Sequence, residues 1–163
     1  MSAFVSTSVL CKPAPRFIDC PFPRTVLPEL NVLLIEHRDE VFARLQRDLS
    51  RIGVGIYRAT YPEDVFRVHS RIPIELTISN SGLPQASLWL TIAKLRIQSP
   101  SARVWSYTTN SGPQEREWAR LVGIEKLFDY GGDLIALAET LQRAVRECWS
   151  MTRTLSSGLS EAS

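Results

Sequence analysis

The chain has 163 residues, 44% hydrophobic and 22% charged, with a net charge of +2, so one core of roughly 100–150 residues with spare length at the ends is expected. That balance supplies no basic field to recruit nucleic acid or an anionic membrane, and no stretch reaches the ~18 consecutive apolar residues of a membrane span. Cys11, Cys20 and Cys148 show neither zinc-ligand nor disulfide spacing, which predicts a cytoplasmic protein with reduced thiols, no metal centre and no cofactor.

Residues 1–29 hold five of the ten prolines and no sustained periodicity, which predicts an irregular arm. Its first ten residues lack a basic region ahead of the apolar ones, so a signal peptide is not expected. Val32–Ile35 is a continuous apolar run, the pattern of a strand buried on both faces. An amphipathic helix follows over Asp39–Ile52, with Val41, Phe42, Leu45, Leu49 and Ile52 as its buried stripe and Gly53 as its stop. Val54–Tyr57 reads as a second strand. Thr60-Tyr-Pro-Glu63 reads as a capping box opening a helix through Arg71, which Pro73 ends.

The third strand is expected over Ile74–Ser79, with Asn80 at its end and a Gly82-Leu83-Pro84 loop beyond. A helix over Leu88–Ile97, a strand over Ala102–Thr108, a short helix over Gln114–Val122 and a strand over Lys126–Asp129 come next. Asp133 is placed to cap a last helix whose stripe is Leu134, Leu137, Leu141, Val145 and Cys148. The domain is therefore expected to span residues 30–149, with a flexible Ser/Thr/Gly-rich tail over 150–163.

Five strand–helix repeats in ~120 residues imply a doubly wound α/β fold with a parallel sheet and right-handed crossovers. The loops after the strands then gather at one sheet edge, bringing Glu36, His37, Asn80 and Thr108 toward one shallow crevice. No Gly-rich phosphate loop or nucleophile elbow is present. Ser79, next to Asn80, is expected to point away from the crevice by strand alternation.

With these residues at its strand ends, the segment from about Asn31 to Val145 resembles the receiver domain of two-component response regulators. The resemblance implies a flavodoxin-like, CheY-like sheet in the order 2-1-3-4-5. In that family two acids after the first strand hold magnesium, and an Asp ending the third strand accepts a phosphoryl group. A Thr or Ser ends the fourth strand, and a Lys follows the fifth. Here Glu36 and His37 stand at the acid pair, Asn80 at the acceptor, Thr108 at the hydroxyl, Tyr130 at the lysine and Leu127 at the aromatic switch. An amide oxygen is a poor nucleophile, and imidazole and carboxamide are poor magnesium ligands beside a single carboxylate.

The expectation is a stand-alone, non-enzymatic pseudo-receiver that signals by binding another signalling protein. Homodimerisation through the fourth helix, fifth strand and fifth helix is one form this takes. The candidate interaction face holds Trp118, Arg116, Arg120 and Leu127, since Trp and Arg dominate interface hot spots. Two alternatives stay open. One is a regulator still active in phosphorelay through unusual chemistry or ligand binding at Asn80. The other is a small flavodoxin-like enzyme using Glu36 and His37 as an acid–base pair.

Overall fold

The computed structural model describes residues 30–82 and 88–157, of which 151–157 by backbone alone. The expected N-terminal arm, Leu83 and Pro84, and residues 158–163 lie outside the described residues. The elements alternate along the chain: β1 (Leu30–Ile35), α1 (Asp39–Ser50), β2 (Val54–Ala59), α2 (Pro62–His69), β3 (Leu76–Asn80), α3 (Leu88–Gln98), β4 (Arg103–Thr108), α4 (Pro113–Leu121), β5 (Lys126–Asp129) and α5 (Leu134–Ser157). All strand pairings are parallel, and the sheet runs β2-β1-β3-β4-β5.

Side-chain parity on the strands divides the core into two layers. Val32 and Leu34 of β1, Leu76 and Ile78 of β3, and Trp105 and Tyr107 of β4 face the layer closed by α1 and α5. Leu33, Ile35 and Val104 face the layer closed by α2 and α3, through Val65, Val68, Leu88, Ile92 and Leu95. Each wholly buried Leu or Ile contributes about 1.5–3 kcal/mol relative to exposure, which is what pins strand register.

Several boundaries differ from the sequence expectation. β1 begins two residues earlier, β2 runs on to Ala59, and β3 starts at Leu76, because it is Leu76 that pairs with Val32 and Arg103. Helix α2 is opened by Tyr61 instead of Thr60, so Glu63 is not the box acid that its spacing from Thr60 predicts. The Tyr61 N–H reaches Asp64 Oδ2 at 3.4 Å, so the reciprocal acid is Asp64. Helix α5 continues to Ser157, past the expected domain end at residue 149 and into the expected tail. The first glycine after Gly132 is Gly158, so nothing in the Ser/Thr-rich segment breaks the helix sooner. Gly53, with φ of +80°, does turn the chain from α1 into β2 as expected. Among the described residues, no helix is long and apolar enough to cross a membrane.

Candidate functional site

Glu36 lies one residue beyond β1, with its N–H still bonded to Ala59 O at 3.1 Å, so the sheet delivers this carboxylate to its own edge. The residue has no solvent exposure. Its Oε1 accepts the Arg38 backbone N–H at 2.8 Å and Arg38 Nε at 3.1 Å. Its Oε2 accepts Arg38 Nη2 at 2.9 Å, the Tyr107 hydroxyl at 2.5 Å and Asn80 Nδ2 at 3.2 Å. His37 Nδ1 stands 3.3 Å from Oε1. A carboxylate offers about four lone-pair positions, so these donors saturate it. Burial opposes ionisation, but the hydrogen bonds from Arg38 and Tyr107 outweigh it and hold the carboxyl below its ordinary 4.5.

Arg38 precedes α1 as its N-cap, with its carbonyl accepting Phe42 N–H at 3.0 Å. That placement lets its backbone and its side chain wrap the same carboxylate. The pairing with Glu36 raises the Arg38 pKa, burial opposes it, and the nearby Tyr130 hydroxyl adds to the rise. The Tyr130 ring meets Tyr107 edge to face, with centroids 6.0 Å apart. Burial, then the charge of Glu36, pushes the Tyr107 phenol well above its usual range, so Tyr107 remains a donor. From β2, Arg58 donates to Glu36 O at 2.9 Å and His37 O at 3.0 Å, and stacks on Phe42. The loop after β1 is thereby clamped on both sides.

Glu36, His37 and Asn80 do converge as expected. Asn80 is fixed at both ends of its amide, since Oδ1 accepts Gly82 N–H at 2.9 Å while Nδ2 donates to Glu36. Thr108 ends β4 at the same sheet edge. Its hydroxyl lies 3.5 Å from Asn110 O and 3.4 Å from Glu115 Oε2, and Glu115 also receives the Ser81 hydroxyl. Thr108 therefore serves the start of α4, and its hydrogen bonds go there instead of to Asn80 or Glu36. Ser79 points away from the crevice, as strand alternation requires, and bonds to Ser106 and Trp105 O between β3 and β4. Leu127 is half-buried opposite Ser106.

Arg38, Tyr107, Arg58 and Glu115 escaped the sequence reading. Arg38 was visible in principle, as a base two residues after an acid at a strand end. Tyr107 shares strand parity with Trp105, which places both on the α1/α5 side.

Around this cluster the sheet order is 2-1-3-4-5 with five helices. The described core is similar to the signal receiver domain of an HD domain-containing protein from Pseudomonas fluorescens Pf-5. The two share 22% identity at a TM-score of 0.62, covering 74% of this chain and 98% of that one. The fold is that of a response-regulator receiver domain. Chemotaxis protein CheY4 of Vibrio cholerae matches the receiver fold at 18% identity and TM-score 0.62, over 70% of this chain and 97% of that one. A Thermotoga maritima response regulator matches at 16% and 0.60, over 70% and 95%. No protein-family model matches the sequence, and no curated protein does.

The receiver fold raises the question of magnesium, which takes hard oxygen ligands in near-octahedral geometry. Both Glu36 oxygens are committed to N–H and O–H donors, Asn80 presents its nitrogen to Glu36, and His37 offers an imidazole. A divalent ion would have to displace a guanidinium from a buried carboxylate. These residues do not fit the ion.

Proposed function

We propose that this chain is a pseudo-receiver: a receiver fold that works as a protein-interaction module, without aspartyl phosphorylation and without an enzymatic reaction of its own. One observation carries this reading. The guanidinium of Arg38 sits on the buried Glu36 carboxylate, so a tethered monovalent cation takes the place a dissociable divalent one would need. Asn80 reinforces it, since an amide held by Glu36 on one side and Gly82 on the other has neither the charge nor the freedom to attack phosphorus. The proposed partner is another signalling protein, a second copy of this chain included.

The face proposed for that contact is α4 with β5 and the start of α5. Helix α4 buries only Ala119, while Trp118 is 45% and Leu121 64% exposed one turn apart. Ile135 of α5 is also exposed. Arg116 is tied to Ser111, which in turn bonds Asp129, so the backbone beneath the face is braced while Arg120 stays exposed. An exposed Trp among arginines on a braced helix has the character of an interface anchor.

Incubation with acetyl phosphate and magnesium, followed by intact-mass measurement, tests the central reading. No phosphoryl adduct is expected on the full-length protein, and a stable stoichiometric adduct refutes it. The face is tested separately. Trp118→Ala is expected to weaken association with the partner, or self-association, by at least about tenfold, or roughly 1.4 kcal/mol. Unchanged association would place the contact elsewhere.

A further inference from the structure

A second charged cluster lies away from the crevice, between α1 and α5. Asp48 of α1 is buried and faces Arg44 and Arg47 of its own helix and Arg51, the residue that caps it. Arg44 Nε donates to its Oδ2, whereas Arg51 and Arg47 stand 3.5 Å and 3.7 Å from Oδ1 as looser ion pairs. The side chains of Arg47 and Arg51 are 60% and 70% exposed, and among the described residues neither donates a side-chain hydrogen bond. One carboxylate therefore anchors three guanidinium groups, two of which present open donors to solvent.

Helix α5 extends the same surface. Gln142 donates to the Asp48 carbonyl and fixes α5 against α1 at this point. Beside Gln142 a shallow concavity of about 310 Å³ runs along α5, bordered by Arg143 and Arg146. Both are exposed, and among the described residues neither has a carboxylate within 4.0 Å.

We propose that this α1–α5 seam is a docking surface for an acidic polypeptide segment. The inference does not depend on the reading of the crevice. From Arg44 to the C-cap Arg51 is seven residue steps along α1, or about 10 Å, which exceeds what one phosphate or sulfate group can bridge. The arginines of α5 alternate with the exposed Glu139 and Glu147, which repel a continuous phosphate backbone or an anionic bilayer. A polypeptide suits that alternation, because its carboxylates meet the open guanidinium groups and its neutral positions lie over the glutamates. Arginine forks donate to such carboxylates in bidentate geometry, and the surplus charge steers the encounter.

Fluorescence anisotropy of a fluorescein-labelled helical peptide, with glutamate at every third or fourth position, tests this on the full-length protein. Binding is expected at low salt and should weaken as ionic strength rises. Arg47→Gln with Arg146→Gln is expected to lower affinity by about tenfold or more. Arg71→Gln with Lys94→Gln, which removes equal charge elsewhere, should change it by less than about twofold. Thermal melts confirm that each variant is folded, and Arg44 and Asp48 are left intact for that reason. The proposal is overturned if the wild type does not bind, if both variant pairs lose affinity equally, or if the seam pair binds unchanged. Retention on phosphatidylserine vesicles through Arg47 and Arg146, without peptide binding, also overturns it.

Discussion

Glu36 keeps its charge at zero exposure because every oxygen position has a donor, and the largest donor group comes from two residues downstream. Its folded pKa lies below the ordinary 4.5, so its stabilising contribution is complete above that value and is lost as pH falls through the lower, folded one. Arg38→Ala removes the cation and leaves a buried carboxylate facing the backbone N–H of position 38, Tyr107, Asn80 and His37. Breaking a buried pair costs about 3–5 kcal/mol, and the one-third exposure of Arg38 lowers the expectation to about 2–4 kcal/mol at neutral pH. The pH dependence should also invert. Without its counter-charge, burial pushes the Glu36 carboxyl upward, so the variant gains relative stability as pH falls toward 4.5 while the wild type does not. Urea midpoints for both proteins across about pH 4–7 measure this, and parallel curves would mean that Arg38 does not set the charge state of Glu36.

At the scale of elements, β4 links the site to the core. Trp105 and Tyr107 are both wholly buried on the α1/α5 side, but Tyr107 also reaches Glu36 from the end of its strand. Tyr107→Phe keeps the ring and its contact with Tyr130 while deleting one donor to a charged acceptor, which predicts a loss of about 1.5–3 kcal/mol in denaturant unfolding. Helix α4 is held differently, through Glu115 and its hydrogen bonds to Ser81 and Thr108. Glu115→Ala should cost about 0.5–1.5 kcal/mol globally, and should speed amide exchange in α4 more than in α1. These elements differ in how far the sequence disclosed them. The continuous apolar run of β1 and the stripe of α1 were legible because burial on known faces dictates residue type. The convergence of Glu36, His37 and Asn80 followed from topology, since parallel strands deliver their ends to one edge. The Arg38 fork was signalled only by a base two residues after a strand-end acid, and the Glu115 acceptor by nothing in the sequence. A guanidinium reaches across several ångströms by rotamer choice, and a helix-borne carboxylate selects its partners only once the helix is docked. Both facts depend on packing and not on period.

For the whole molecule, the consequence is that the strand-end edge is already satisfied, and the two recognition surfaces proposed above lie on its flanks. Ligands that bind the native state raise its stability by RT ln(1 + [L]/Kd), about 2.7 kcal/mol at a hundredfold excess over Kd. Magnesium with fluoroberyllate, a phosphoryl mimic, should therefore leave the thermal midpoint of the wild-type protein unchanged. Asn80→Asp alone should not alter that. The new carboxylate would stand about where Asn80 Nδ2 now meets Glu36 at 3.2 Å, and the two acids would compete for Arg38. The single variant is thus expected to be less stable at neutral pH and to recover partly in acid, where one of the two acids is protonated. Only when the guanidinium is removed as well, in Arg38→Ala with His37→Asp and Asn80→Asp, do three carboxylates face one another without an internal cation. That variant should be rescued by magnesium, with a midpoint that rises with metal concentration. A wild-type midpoint that rises in the same way would mean that the internal cation yields to a free one, and the crevice would then be a working ion site.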